Sequence, residues 1–393
     1  MVKKIVIACD SFKGCLSSEK VAEAVSEGVE KIFPECERVL LAVADGGEGT
    51  NQILTKALGG EHVKVAVSDP LGRSVTADYG IIEDKDHCRT AIIEMAQASG
   101  LTLLSKNERN PLLTSTYGTG EMILDALNRG CRKFIIGIGG SATNDGGTGM
   151  LEALGFRFID ERGKEIKGCC GDRLADIADI DDKNVRMEIH ESEFVVACDV
   201  NAPFCGSEGA ARVFAEQKGA DTTAIETLEA GMQNLASVIY DKYCIDLSKT
   251  PGAGAAGGLG GAFKTFLNAE LKSGIDTILD IVGFDERISN ADIVITGEGK
   301  IDFQSGKGKV IDGIFRRCSA RNIPVLAIAG IVDWSESEEK PENLIAVLPI
   351  GPRPQNESDL KNAMRPEVAY RNISDTVTKV LKELSPSLCR GNL

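Results

Sequence analysis

At 393 residues, 42% hydrophobic and 26% charged, the chain has the make-up of a soluble globular protein too long for one ordinary core, so two domains are expected. A net charge of −15 argues against nucleic acid or an anionic membrane as partner, and no apolar run approaches the ~20 residues of a membrane span. Three histidines outside any motif and twelve cysteines without a CxxC pair speak against histidine catalysis and zinc, and with no export signal they suggest the cytoplasm.

Lys4 to Asp10 reads as a short apolar strand ending in an acid, with Asp10-Ser11-Phe12-Lys13-Gly14 as its loop. Ser17 or Ser18 then caps a helix carried by Val21, Ala24, Val25, Val29 and Ile32, which Pro34 stops. A second strand, Val39 to Val43, runs into Ala44-Asp45-Gly46-Gly47-Glu48-Gly49-Thr50 and a helix reaching Leu58. Such β-loop-α units build a parallel sheet with ligands outside the carboxyl ends of its strands, so the loops carrying Asp10, Lys13, Asp45 and Glu48 should converge. From Glu61 the texture changes. Val63, Val65 and Val67 alternate, Pro70-Leu71-Gly72 turns, and Val75 to Ile82 alternates again, which predicts an antiparallel hairpin. A strand from Arg89 to Met95 and a helix around Thr119 to Arg129 follow.

Phe134 to Ile138 is the next buried strand. Beyond it, Gly139, Gly140, Gly146, Gly147 and Gly149 are interleaved with Ser141, Thr143, Asn144 and Asp145, and a helical pattern begins at Met150. Glycine backbone before a helix N-terminus is how a protein builds an anion cradle, and that is the expectation here. Residues 163 to 191 are polar and loop-like, and Phe194 to Asp199 is again a strand ending in an acid. A helix from Thr223 to Tyr243 precedes the small-residue segment Pro251 to Gly261, which suits close backbone approach to a ligand or to another helix. Ile293 to Thr296 leads into Gly297-Glu298-Gly299-Lys300. A helix from Val310 to Arg321, strands Val325 to Ala329 and Leu344 to Leu348, and a helix from Val368 to Leu384 complete the chain. Because the first texture returns near the end, the expected fold is α/β: a Rossmann-like parallel-sheet domain (1–63 plus 286–393) interrupted by an inserted second α/β domain (64–285).

The loops present Asp, Glu, Lys, Ser, Thr and Asn over glycine backbone, with no nucleophile–histidine pairing. That inventory fits phosphoryl transfer, where positioning and charge neutralisation do most of the work. A Walker A motif is absent, since Gly308 follows Gly306-Lys307 and Ile301 stands where the first glycine belongs. Two other classes stay open. Gly137, Gly139 and Ala142 match a dinucleotide fingerprint with Asp160 as the ribose acid, which would make a dehydrogenase. A nucleotide-binding sensor without catalysis is the third.

Several blocks resemble the type-1 glycerate kinases: Asp10 to Gly14, Ala44 to Thr50, Arg109 to Leu112, Tyr117 to Glu121, Gly139 to Gly147, Pro251 to Gly260, and Thr296 to Gly299 with Asp302, Gln304, Gly308 and Lys309. The resemblance implies ATP- and Mg²⁺-dependent phosphorylation of D-glycerate to 2-phospho-D-glycerate, with the site in the cleft between the two domains. It departs from the family pattern at Asp199-Val200-Asn201-Ala202-Pro203-Phe204, where Ala202 replaces a usual Asn, and at Ala215-Glu216, where Gly-Pro is common. On chemical grounds Lys13, Lys309 and the Ser141–Gly147 backbone are expected to hold phosphates or the substrate carboxylate. Asp45, Glu48 and Glu298 are the Mg²⁺ candidates. Asp199 is the first candidate base and Asp145 the second, although an Asp after a strand also caps turns. Asp10, Ser11, Gly46, Gly47, Gly139, Gly140, Asn144, Gly146, Thr296 and Gly297 complete the expected binding set. The expected partners are glycerate and ATP, with a homodimer left open.

Overall fold

The computed structural model describes residues 2–12, 14–44, 49–302, 310–333 and 342–388. Lys13, Asp45, Gly46, Gly47, Glu48 and Lys309 of the expected site lie outside them. The strands, in chain order, are β1 (Lys4–Cys9), β2 (Glu37–Ala42), β3 (Glu61–Ser68), β4 (Ser74–Glu83), β5 (Arg89–Glu94), β6 (Lys133–Gly137) and β7 (Arg157–Ile159). They continue with β8 (Glu165–Ile166), β9 (Asp179–Asp181), β10 (Glu193–Ala197), β11 (Glu270–Lys272), β12 (Ile293–Asp302), β13 (Val325–Asp333) and β14 (Leu344–Pro349).

The chain divides into two compact units, 1–45 with 275–393, and 46–274. Both joins fall earlier in the chain than the expected 63/64 and 285/286. The helix Thr50–Ala57 belongs to the inserted unit because it packs on β4: Asn51 Nδ2 donates to Asp78 Oδ1 at 3.2 Å. A Cβ on Gly80 would lie 1.7 Å from Thr55 Oγ1, so glycine alone lets the helix sit that close. At the second join, Asp276 and Asp285 pair with Arg317 of the helix Val310–Ser319, which ties this segment to the discontinuous unit.

In the discontinuous unit the described strands form one parallel sheet, ordered β14-β13-β12-β1-β2. Counted along the unit's own chain this is order 2-1-3-4-5, a doubly wound arrangement whose topological switch point lies between β1 and β12. Central strands are buried on both faces and read as unbroken apolar runs, Ile5 to Cys9 and Val325 to Ala329. Helices Ser18–Glu30 and Pro366–Leu388 cover one face, with Val21, Val25 and Val29 packed among Ile373, Val377 and Leu381. Ser17 caps the first of these, accepting from Lys20 N at 3.3 Å.

The inserted unit carries a mixed sheet, β11-β10-β6-β5-β4-β3, in which the expected hairpin β3–β4 is antiparallel and the β5-β6-β10-β11 half is parallel. Its parallel strands follow one another in chain order, so this sheet has no switch point. Phe134 and Phe194 stack across β6 and β10 at 4.7 Å in the core. A small sheet, β8-β7-β9, accounts for the polar stretch after residue 163.

The approach of the two helices on the first sheet depends on Gly28, where a Cβ would stand 2.7 Å from Ser374 O and 2.9 Å from Val377 Cβ. Gly28→Val should therefore destabilise the protein by roughly 1–3 kcal/mol despite its better helix propensity, read as a lowered urea midpoint. An unchanged midpoint would show that the helices separate at no cost.

Candidate active site

At the switch point, β1 and β12 run in register Cys9↔Gly297, and Asp10 N donates to Gly297 O at 2.8 Å. Asp10, the residue after β1, therefore comes beside Glu298, which is still within β12. Asp10 is only 6% exposed, and its Oδ1 accepts from Ser11 N at 2.6 Å. Glycine is required at 297 because a Cβ there would lie 2.6 Å from Ile328 Cγ1 on β13. Thr296, just before it, is fully buried, and its Oγ1 has no hydrogen-bond partner among the described residues. Asp10, Ser11 and Glu298 line a cavity of about 750 Å³ just past the carboxyl ends of β1 and β14 and beside the second halves of β12 and β13. Of the expected site acids, Asp10 and Glu298 share this cavity.

The inserted unit collects the rest. Gly139 and Gly140 are exposed at the end of β6, with Gly140 at φ +74°, and Ser141 is half-buried. Asp199 is exposed just past β10, the strand paired with β6, and its Oδ1 accepts from Gly274 N at 2.9 Å. From Ala142 to Met150 the loop is buried.

Here the structure corrects the anion-cradle expectation, because the anion held is the loop's own Asp145. Its carboxylate accepts from Thr116 N and Thr116 Oγ1, each at 2.8 Å, from Gly147 N at 3.1 Å and from Gly149 N at 3.2 Å. Thr116 Oγ1 in turn accepts from Met150 N at 2.9 Å, and Gly146 N is taken by Gly257 O at 2.9 Å. The helix Thr148–Ala153 has spent its first-turn donors inside the protein. Asp145 is fully buried; desolvation pushes its carboxyl above the usual range, against the pull of these donors. That geometry makes it a latch for the loop, not an accessible base, and leaves the exposed tip Gly139–Ser141 as the part open to a ligand.

The segment 251–261 also finds its partner. A Cβ on Gly257 would stand 2.1 Å from Thr143 O, and one on Gly258 2.7 Å from Gly146 Cα, so the two glycine-rich stretches press backbone to backbone. Ala256, Gly257 and Gly258 all take positive φ, which interrupts the helix Ala255–Phe266 at the contact. Asn144 is buried beside it, with neither side-chain polar atom hydrogen-bonded among the described residues.

Two buried groups escaped the sequence reading. Glu94 ends β5 and accepts from Gly49 N at 3.2 Å and Asn51 N at 2.7 Å, capping the helix Thr50–Ala57. An acid closing an apolar strand was the signal that picked out Asp10 and Asp199, and it applies equally to Glu94. Lys218 is 1% exposed and donates to Thr143 O at 2.7 Å; desolvation lowers its pKa to about 7. Nothing in the sequence marks it. The dinucleotide fingerprint finds no support: the helix after β6 begins only at Thr148, and Asp160 Oδ1 holds a turn by accepting from Arg162 N and Lys164 N.

Fold and site define an α/β enzyme whose acids and glycine-rich loops stand at the carboxyl ends of parallel strands. The family model described as "Glycerate kinase family" matches residues 5–385. The chain is 42% identical over 377 residues to the glycerate kinase of Bacillus cereus (strain ATCC 10987 / NRS 248), covering 96% of this chain and 97% of the relative. It is 46% identical over 327 residues to the glycerate 2-kinase of Escherichia coli (strain K12), covering 83% and 85%. A crystal structure from Salmonella typhimurium LT2, assigned as a glycerate kinase 2, matches with TM-score 0.85 at 39% identity, over 98% of this chain and 99% of that one. The chain belongs to the glycerate kinase family, and is a phosphotransferase. No described helix is long and apolar enough to cross a membrane.

Lys218 gives a pH test. Its folded value of about 7 lies below the ordinary 10.5, so burial costs stability in full below about pH 7, and that cost is relieved as pH rises towards 10.5. The stability of the parent relative to Lys218→Met should rise between about pH 7.5 and about pH 9.5, by at most about 1.4 kcal/mol per unit, in urea unfolding. A flat or falling difference would mean the lysine stays charged in its pocket.

Proposed function

We propose that this chain catalyses ATP- and Mg²⁺-dependent phosphorylation of D-glycerate to 2-phospho-D-glycerate. The observation that carries the proposal is the pair of carboxylates, Asp10 and Glu298, held side by side at the switch point of the parallel sheet. The name of the Escherichia coli relative supports the 2-hydroxyl as acceptor.

Among the described residues no three His, Cys, Asp or Glu side chains cluster as a metal cage. Mg²⁺ needs none: it binds through one or two carboxylates plus phosphate and water oxygens, and Asp10 with Glu298 supply such hard donors. Glu298 with Asp10, together with Asp45 and Glu48, would hold it, and when bound it neutralises phosphate charge. Lys13 and Lys309 are the proposed phosphate cations, in a protein whose net charge of −15 makes local positive charge necessary. Gly139, Gly140 and Ser141 are assigned to the substrate carboxylate. In the transfer, the glycerate hydroxyl oxygen bonds to the γ-phosphorus, the bond to the β,γ-bridging oxygen breaks, ADP leaves, and the hydroxyl proton passes to a carboxylate. Asp199, exposed at the end of β10, is that carboxylate in our reading. None of the eleven described cysteines is in a disulfide, which agrees with a cytoplasmic location.

Two measurements test this. ADP release with D-glycerate and ATP·Mg²⁺, together with phosphorus NMR of the product, should show turnover and a phosphate on C2; ester at C3, or no ADP, would overturn it. Asp199→Asn should lower kcat on the order of 10²-fold or more with an unchanged circular dichroism spectrum, and near-normal turnover would remove Asp199 from the chemistry.

A further inference from the structure

The cavity at the switch point has walls that phosphoryl transfer does not use. Besides Asp10 and Glu298 it is lined by the apolar Phe12, Ile331, Ile350, Leu360, Met364 and Val368, by three primary amides, Gln355, Asn362 and Asn372, and by the charged Lys300, Arg353 and Asp359. We propose that this part of the cavity seats the purine base and sugar of the nucleoside triphosphate donor, an inference that rests on the kinase reading above.

Four observations carry it. The volume, about 750 Å³, falls within the ~300–1,000 Å³ of cofactor-sized sites and far exceeds what a three-carbon acid fills. That acid is polar on every side and gains nothing from six apolar walls, whereas a purine does. The cavity also mixes two kinds of surface, with the carboxylates Asp10 and Glu298 contributed from β1 and β12 and the apolar Leu360, Met364 and Val368 from the helices Glu357–Ala363 and Pro366–Leu388 and the turn between them. A nucleotide joins the same two characters, a charged tail that takes a metal and a flat apolar base. Primary amides donate and accept at once, matching the adjacent donor and acceptor on a purine edge.

The last observation is exposure. Leu360 and Met364 are each 39% exposed although they line a concave surface, so an apolar occupant would remove them from water. Met364 reaches across to the β1 loop, its methyl carbon 3.3 Å from where a Gly14 Cβ would be. It therefore reports on the interior of the cavity.

The test uses the full-length enzyme with methyl-labelled methionine, the Met364 resonance assigned through Met364→Leu. Adding ADP should shift that resonance, while inorganic tripolyphosphate or D-glycerate alone should leave it in place. In parallel, Leu360→Trp, which fills the cavity from an exposed helix position, should raise the calorimetric Kd for ADP and the KM for ATP tenfold or more, with the KM for glycerate within twofold. No shift with ADP, or an ADP Kd in Leu360→Trp within twofold of the parent, would overturn the proposal. If ADP binds and shifts Met364 but no ADP is released from ATP with any hydroxy acid, the kinase reading fails while the seat for the base stands.

Discussion

The placement of Asp10 and Glu298 depends on the pairing of β1 with β12, which closes the discontinuous unit across the whole insertion. Lys4 N and Asp292 Oδ2 meet at 2.9 Å although 288 positions apart, and Lys3 N reaches the same oxygen at 2.6 Å. Asp292 N returns a bond to Lys4 O at 2.9 Å, so the two strands are clamped where they begin. With the start fixed, parallel register carries through to Cys9↔Gly297 and sets Asp10 beside Glu298. A slip of one residue would reverse every side chain on the strand and turn one of those acids away. Contacts this distant in sequence form late and slowly in folding, so the site is completed only once the chain has returned from the insertion.

The two units solve the placement of functional groups differently. In the discontinuous unit, crossovers diverge on either side of β1 and β12 and leave a cavity at their ends. In the inserted unit the parallel strands follow chain order, so no cavity arises from topology. Local chemistry shapes that edge instead. Asp145 gathers the loop after β6, Lys218 ties Thr143 from below, and Glu94 caps the neighbouring helix. What remains exposed, Gly139, Gly140 and Asp199, is held by groups that are themselves out of reach.

How much of this was legible follows from what each signal measures. Acids closing apolar strands were readable at Asp10 and Asp199, because a strand buried on both faces must be continuous in sequence and its end is then plain. The glycine-rich stretch after β6 was readable as a place of close backbone approach but not as to what approaches. Its own Asp145 meets the donors that a free anion would meet, and composition does not separate the two. The packing of Thr50–Ala57 on β4 was not readable, because texture along the chain does not record what a helix packs against. The helix Glu357–Ala363, capped by Asn356, was missed since none of its residues is buried and it carries no apolar period.

The departures from the family pattern sit where backbone does the holding. Ala202 O accepts from Gly254 N at 2.9 Å, a bond any residue at 202 could make, so losing the usual Asn leaves the local path of the chain intact and touches only what a side chain would have reached. The second departure, Ala215-Glu216, lies in the turn that delivers Lys218. Ala215 O accepts from Lys218 N at 3.0 Å and from Ala220 N at 3.1 Å, and Glu216 O accepts from Gly219 N at 2.9 Å. Gly219, at φ +98°, passes so close to Arg109 that a Cβ would stand 2.3 Å from its carbonyl oxygen. The turn thus keeps its shape through main-chain bonds and one glycine. A lysine brought into the interior this way, with its pKa drawn down to about 7, still carries most of its burial cost at neutrality, so the tether on the glycine-rich loop is held against that cost.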